Sequence, residues 1–407
     1  MKRFIFCLFL LIIPFNIYGL DVDTYSKNII LYNLNDDSVL YEKNSEDVVS
    51  IASTTKIMTA IVALENIDNL DKKVVLTYED FVGLTEANAS QAGFLIGEEV
   101  TYKDLLCGLL LPSGADAAQA LSRLIAGSVD SYVELMNNKA IELGLSSTHF
   151  SNTTGLDDEE HYSSARDVSK MLKYAIKNND FLDIIKMDYY TTSNNKHRFK
   201  NTILKMQDLY DIHDMDYLIG GKTGTTGDAG LCLATIAEKD GVSYMLITLG
   251  APYSREVPYN LVDHKNVYEY YMNNYSYQNV LDTKDIIVTL KGEYLKEDSI
   301  SFNASKVIDL YLENGFKKSE LEYKYDGVNI ITHEMKKGDR LGVVRIIYNG
   351  KELASDEIIL DQDVQFDLIK YLKANKWISY IVSIIILLIL SFIFIFFKKK
   401  KRLRKSM

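Results

Sequence analysis

The pattern of apolar and polar positions changes period three times along the chain. Near the start, two strand-like runs, Asn28 to Leu34 and Ser38 to Tyr41, flank the turn-forming Asn35-Asp36-Asp37 and predict a hairpin. The apolar run Ile57 to Leu64 then predicts a helix beginning close behind Ser53. Tyr102 to Leu111, Ala115 to Ala126, Ser131 to Leu143 and Arg166 to Ile176 carry apolar residues at helical spacing, with Gly127 and Gly144 placed as C-terminal stops. From Tyr217 the pattern becomes strand-like over Tyr217 to Gly221, Ala229 to Ala237 and Ser243 to Leu249, before a helix over Leu261 to Tyr271. Strands, a helical block and strands again predict one α/β domain with a helical lobe, whose first and last strands share a sheet.

A boundary is expected between Ser276 and Lys284. Beyond it, Ile286 to Leu290, Ser299 to Phe302, Leu321 to Tyr325, Asn329 to Ile331, Gly342 to Ile347 and Ile358 to Leu360 are short strands separated by turn signals such as Tyr348-Asn349-Gly350. They predict a small, mostly β module without a cluster of chemically active residues, read as a spacer or interaction domain.

The two ends have a different character. Met1-Lys2-Arg3 followed by the apolar Phe4 to Ile13, with the small Gly19 after it, reads as a secretory signal over residues 1–19. Trp377 to Phe397 is an uncharged, mainly apolar run as long as the roughly 20 residues a helix needs to cross a bilayer. Lys398 to Lys401, Arg402, Arg404 and Lys405 follow it, and positive charge stays on the cytoplasmic side. The expected layout is therefore a signal peptide at 1–19, a catalytic domain at 20–278, a β-rich domain at 283–372, a transmembrane helix at 377–397 and a basic cytoplasmic tail at 398–407. The domains between signal and anchor lie outside the cytoplasm.

Charge sharpens that picture. The whole chain of 407 residues carries a formal −11, but nine of its 45 basic residues and none of its 56 acidic ones lie in the two end segments. The expected exported part is thus near about −20, a surface that repels phosphates and argues against a nucleic-acid partner. Cys7 falls in the signal, and Cys107 and Cys232 each sit within an apolar stretch, as small buried hydrophobes rather than a disulfide. No Cys/His spacing of the zinc type is present, and no cofactor is expected.

Ser53-Thr54-Thr55-Lys56 brings candidate chemistry, because it sets a hydroxyl and an amine one helical turn apart, where the amine can take the serine proton. The unpaired N–H groups of a helix N-terminus favour an oxyanion beside Ser53. The spacing alone is common. Ser193-Asn194-Asn195-Lys196 repeats it in a polar stretch with no apolar helix behind it to bury the lysine and lower its pKa, so Ser193 is expected to be plain loop. Ser53 by itself reads equally as an N-cap serine with a solvated lysine a turn later.

Two further motifs separate the copies. Leu111-Pro112-Ser113-Gly114-Ala115-Asp116 places a serine in a turn between two helices, and Gly221-Lys222-Thr223-Gly224-Thr225 places a lysine on a strand between glycines that let a backbone or ligand come close. Ser-x-x-Lys, Ser-Gly-x and Lys-Thr-Gly in that order are far more specific than any one of them. With them the chain resembles the penicillin-binding D-alanyl-D-alanine carboxypeptidases, low-molecular-weight serine peptidases of the S11 type that trim peptidoglycan stem peptides. The resemblance runs from about Leu20 to Leu372 and takes in Phe150 to Leu156, His161 to Asp167, Gly250 to Arg255, and Lys336 to Asp339 in the second domain.

That resemblance implies an α/β (α+β) catalytic domain of the serine β-lactamase/transpeptidase type with a helical lobe, followed by the β domain and the anchor. It implies Ser53 as nucleophile, Lys56 as its base, and Ser113 as a proton relay toward Lys56 or the leaving D-alanine. Lys222 adds positive charge and helps keep Lys56 neutral, since neighbouring cations depress each other's pKa. By the same resemblance Thr223 binds the substrate carboxylate, Gly224 lies within the substrate-binding triplet, the N–H groups of Ser53 and Thr225 form the oxyanion hole, and Arg255 pairs with the terminal carboxylate. The implied partners are stem peptides ending in D-Ala-D-Ala, β-lactams as covalent inhibitors, and a membrane.

The family usually has Ser-x-Asn where this chain has Ser113-Gly114-Ala115. An asparagine there hydrogen-bonds the substrate amide and the lysine, and losing such a partner costs about 10²-fold in rate, so slower or altered catalysis is expected. Asp116 is expected to point elsewhere on its helix, and His161 is read as structural because the mechanism already has a base. Three functions remain open: the carboxypeptidase, a β-lactamase of related fold, and a non-catalytic cell-wall binding or scaffold protein. The anchor, the β module and the lack of a Glu-x-x-Leu-Asn segment between Ser113 and Lys222 weigh against the second.

Overall fold

Residues 22–403 are described by the structure, a computed structural model. The expected signal segment lies outside the described residues. Strands β1 (Asn28–Asn33) and β2 (Ser38–Lys43) form the predicted hairpin, and after a 3-10 turn over Ala52–Thr55 comes helix α1 (Lys56–Asn66). A small pair, β3 (Lys73–Val75) with β4 (Glu99–Thr101), precedes α2 (Tyr102–Leu110), α3 (Ala115–Ala126), α4 (Val129–Glu142), α5 (Ala165–Ala175) and α6 (Asn179–Ile185). The hairpin β5 (Tyr189–Thr191) and β6 (Arg198–Lys200) leads to α7 (Thr202–Tyr210). Strands β7 (Leu218–Thr226), β8 (Gly230–Lys239) and β9 (Val242–Ala251), then α8 (Tyr259–Asn274), follow.

The main sheet has the order β2-β1-β9-β8-β7 with every pair antiparallel. Strand β1 pairs with β9 from Asn28↔Leu249 to Asn33↔Tyr244, so the first and last strands do share a sheet. That central position explains why every residue of β1 is buried while β2, at the edge, is half-buried throughout. Helix α1 is buried from Lys56 to Ala63 and packs against α2, α3, α4, α5 and α6, which is why its sequence lacks a polar face. Each of Ile57, Met58, Ile61 and Val62 removed from water there contributes about 1.5–3 kcal/mol.

Helix ends show where local stability yields to something else. Side chains cap the starts of α2 (Thr101), α4 (Ser128), α5 (Ser164), α6 (Asn178) and α7 (Asn201), each worth about 1 kcal/mol. Helices α1 and α3 have no side-chain cap, and the residues just before them, Ser53 and Ser113, are two of the candidate site residues.

The chain divides into two compact units between Asn273 and Asn274. The second contains β10 (Tyr275–Leu281), β11 (Ile286–Gly292), β12 (Ser299–Asn303), β13 (Ile308–Glu313), β14 (Glu322–Gly327), β15 (Ile330–Ile331), β16 (Arg340–Tyr348) and β17 (Lys351–Ile359). They form the sheets β10-β13, β12-β11-β15 and β14-β16-β17 over a core that includes Leu290, Leu295, Ile331, Val344, Ile346 and Leu360. Strand β10 begins just ahead of the segment expected to be a boundary and runs into it, and its apolar pattern is weak; β13 alternates Ile308, Leu310 and Leu312 but is not among the predicted strands. Tyr275 and Tyr277 pack on Tyr311 across the pair, so aromatic contacts hold β10, which aliphatic alternation does not announce. Helices α9 (Leu368–Ala374) and α10 (Lys376–Leu403) end the described chain. Lys376–Lys398 is long and apolar enough to cross a membrane, and none of it is buried.

Candidate active site

Ser53 lies in the 3-10 turn ahead of α1, where residues three apart eclipse one another. The Lys56 Nζ donates to Ser53 Oγ at 2.9 Å and to the Thr154 carbonyl at 2.6 Å, and Lys56 is only 1% exposed. Ser53 Oγ itself lies 3.4 Å from that carbonyl. The turn is braced from behind: Thr54 Oγ1 donates to Ile51 O at 2.6 Å and Thr55 Oγ1 to Ala52 O at 2.8 Å. His161 Nε2 meets Thr55 Oγ1 at 2.7 Å, while its Nδ1 accepts from Ser151 N–H. That assigns the proton to Nε2, which donates to Thr55, and burial drops the ring to about 4. His161 is thus a neutral brace, as the sequence reading holds.

Two glycines allow other backbones to crowd this turn. Gly155 has φ +82, and a Cβ built on it lies 2.0 Å from the Ala52 carbonyl oxygen. A Cβ on Gly224, in β7, lies 3.0 Å from Ser53 N. Ala52, with no glycine's freedom, takes φ +47, a local strain next to Ser53 of the kind that clusters at functional sites.

The other pair comes from α3 and β7. Ser113, at φ +66, directs its Oγ to Lys222 Nζ at 2.8 Å, and the same amine donates to Thr223 O at 2.8 Å. Ser113 therefore contacts Lys222, a partner the resemblance does not name for it. Lys222 is fully buried. Thr223 Oγ1 donates to Thr202 Oγ1 at 2.8 Å, and the exposed Thr225 turns its hydroxyl to Gly224 O at 2.8 Å.

Both amines lie well below the usual lysine range. Burial brings Lys56 to about 7, with the Asp116 carboxylate acting in the opposite direction. Lys222 is also lowered well below its usual value, by burial first and then by the charge of Lys56. The sequence reading gives burial behind the apolar helix and the nearby Lys222 as what keeps Lys56 neutral; removal from water is the chief cause, and the coupling is felt at Lys222.

The remaining candidates divide. Thr225 pairs with Leu231 and Leu231 with Ala251, so the loop after β9 that carries Arg255 starts at the same end of the sheet as Thr225. Arg255 is exposed and has no hydrogen-bonding or ion-pairing partner among the described residues. Ala115 is buried and offers only its N–H, to Ser90 O at 2.7 Å. Ser193 sits elsewhere, in the turn between β5 and β6, with its Oγ on Asp104 at 2.6 Å and Lys196 exposed. Cys107 and Cys232 are buried and free. Among the described residues no group of His, Cys, Asp and Glu is arranged to hold a metal ion.

Sequence reasoning missed the Thr154 carbonyl as partner of Lys56, and Asn152, whose Oδ1 accepts from Thr154 N–H at 3.1 Å and Gly155 N–H at 2.7 Å and so aims that carbonyl. An Asn three residues before a Gly is a turn signal, but it does not say what the turn faces.

The fold is similar to those of solved low-molecular-weight penicillin-binding proteins and DD-peptidases. Penicillin binding protein 5 from Haemophilus influenzae matches with a TM-score of 0.62 at 24% identity, over 85% of this chain and 99% of that one. The Streptomyces K15 DD-transpeptidase matches with a TM-score of 0.55 at 32% identity, over 61% of this chain and 97% of that one. In sequence, D-alanyl-D-alanine carboxypeptidase DacF of Bacillus subtilis (strain 168) is 29% identical over 349 residues, 84% of this chain and 86% of its own length. The profile of the D-alanyl-D-alanine carboxypeptidase family, peptidase S11, matches residues 19–253, and the chain belongs to that family. It is a hydrolase of the serine peptidase class, with the general function of a D-alanyl-D-alanine carboxypeptidase and penicillin-binding protein.

Proposed function

We propose that the protein removes the terminal D-alanine from peptidoglycan stem peptides through an acyl-enzyme on Ser53. The observation that carries this is Lys56 Nζ lying buried between Ser53 Oγ and the Thr154 carbonyl, with its pKa brought to about 7. The neutral Lys56 amine takes the Ser53 proton as Oγ attacks the carbonyl of the penultimate D-alanine. The oxyanion is held by the N–H groups of Ser53 and Thr225. Ser113, hydrogen-bonded to Lys222, relays the proton held by Lys56 to the amine of the departing D-alanine; water then gives a proton to the neutral Lys56 as it attacks the ester, and that proton returns to the Ser53 oxygen. Thr223 and Arg255 receive the substrate carboxylate, the latter bidentately. A β-lactam acylates the same serine. With Ala115 in place of asparagine one positioning contact to the substrate amide is missing, so turnover is slow for the family.

The apolar Lys376–Lys398 helix serves as the anchor, and the second unit is read as a spacer or interaction domain.

Covalent labelling by a fluorescent penicillin, measured together with D-alanine release from an acyl-D-Ala-D-Ala peptide, tests this reading. Labelling and release are both expected. Rapid penicillin turnover without peptide cleavage identifies a β-lactamase, and a folded protein that does not label has lost the enzyme function. Ser53→Ala abolishes labelling and Ser193→Ala leaves it intact; the reverse pattern overturns the assignment of the nucleophile.

Acylation also depends on pH through Lys56. The base form is the neutral amine, so the acylation rate constant falls about tenfold per unit below pH about 7 and levels off above it. A rate constant flat from pH 5.5 to 8 excludes Lys56 as the base.

A further inference from the structure

Between α2 and α3 the chain passes through Ser113 in a left-handed conformation, φ +66, that a non-glycine residue holds only when its surroundings impose it. The surroundings are the segment Ser90 to Phe94. Ser90 Oγ donates to the Ser113 carbonyl at 2.7 Å, and Ser90 O accepts from Ala115 N–H at 2.7 Å, so one residue grips both sides of Gly114. The segment is in turn held by Asp116, which is 1% exposed. Its Oδ1 accepts from Ala92 N–H at 2.8 Å and Ala117 N–H at 3.0 Å, and its Oδ2 from Gly93 N–H at 3.0 Å and Phe94 N–H at 3.2 Å. The carboxylate lies directly under the turn, since a Cβ on Gly114 falls 2.6 Å from Asp116 Oδ1. No cation forms an ion pair with Asp116 among the described residues. Four backbone N–H groups and the N-terminus of α3 satisfy it instead.

We propose that Ser90 and Asp116 are positioning residues for acylation: together they hold the Ser113 turn so that the serine hydroxyl faces Lys222. The inference rests on Ser53 and Lys56 acting as proposed above. It supplies a structural role that the missing asparagine at Ala115 leaves to other residues. The charged and titratable groups around Lys56 come from three elements: Asp116 on α3, whose charge raises Lys56, and Lys222 on β7 and His161 in the loop before α5, both of which the Lys56 charge lowers. Of these only Asp116 favours the protonated amine, so its removal moves the acid limb of the rate profile to lower pH.

The test compares the acylation rate constant for a fluorescent penicillin from pH 5.5 to 9 in wild type, Asp116→Asn and Ser90→Ala. An amide has one acceptor oxygen and turns its own N–H groups toward backbone donors, so Asp116→Asn breaks half of the clamp and deletes the charge. It is expected to acylate about 10- to 100-fold more slowly, with its acid limb displaced downward by at least about half a pH unit. Ser90→Ala is expected to acylate about 3- to 10-fold more slowly with its acid limb in place, because it loosens the turn without touching a charge. An Asp116→Asn enzyme that acylates at the wild-type rate overturns the proposal. If Asp116→Asn does not fold, a Ser90→Ala enzyme that acylates at the wild-type rate overturns it instead. Wild type that fails to acylate refutes the underlying assignment, and is distinguished from either result because it is measured first.

Discussion

Lys56→Met acylates with a β-lactam at least about 10³-fold more slowly than wild type, and unfolds at a higher temperature. The first effect follows from the loss of the only amine within hydrogen-bonding distance of Ser53 Oγ among the described residues. A methionine fills the same volume but cannot accept a proton. The second effect comes from burial. A lysine that is charged in the unfolded chain and neutral at about pH 7 in the folded one weakens the native state, because the unfolded chain binds a proton that the native chain does not. The sign is fixed by the direction of that shift. Between the folded value, about 7, and the ordinary lysine value of 10.5, wild-type stability rises with pH. The lead of Lys56→Met is therefore full at and below pH 7 and shrinks as pH rises toward 10.5. Removing the Lys56 charge also relieves Lys222, which adds to the gain. Against this stands the loss of a donor to the buried Thr154 carbonyl, worth about 1–3 kcal/mol, which is smaller than a penalty of several pKa units. Thermal unfolding of both proteins at pH 7 and pH 9.5 measures it, and a variant less stable than wild type at pH 7 would falsify the burial account.

Gly155→Ala loses both activity and stability, although residue 155 contributes no functional group. Its φ of +82 already costs an alanine about 1–2 kcal/mol. The larger penalty is the Cβ, 2.0 Å from the Ala52 carbonyl oxygen and 2.4 Å from its carbon, both backbone atoms that have no rotamer to escape into. Restoring ordinary contact moves the Ser53 turn by more than about 1 Å, a displacement that by itself costs about 10²-fold in rate. Activity on an acyl-D-Ala-D-Ala peptide should fall about 10²- to 10³-fold, with a stability loss of about 3–5 kcal/mol. Gly127→Ala is the matched control: φ is +83, nothing lies within 4 Å of a Cβ there, and only the conformational penalty remains. Equal effects of the two substitutions would show that backbone conformation, and not the approach of Gly155 to the Ser53 turn, governs both.

The features legible in the sequence are those that depend on neighbours along the chain. Alternation and helical spacing located α3 residue for residue and most other elements to within a few positions, because each must bury one face. Ser53 and Lys56 are three residues apart, and a single turn is enough to bring them together. The order of Ser53, Ser113 and Lys222 was enough to name the family, and the two terminal apolar runs with their basic flanks were enough to predict export and an anchor. Strand β10 escaped because tyrosine contacts across the pair replace aliphatic alternation, whereas β13, with Ile308, Leu310 and Leu312 in alternation, was legible and the reading leaves it out.

Tertiary structure decided everything that depends on what lies opposite. The Thr154 carbonyl reaches Lys56 from residues far along the chain, Asp116 turns from its helix to the segment at Ala92, and Gly155 earns its place by the nearness of Ala52. The pKa of Lys56 belongs to this second group. The sequence supplies the amine and an apolar helix behind it, but desolvation depends on how completely five surrounding helices and the edge strand close over that amine, and this is a property of the packed fold.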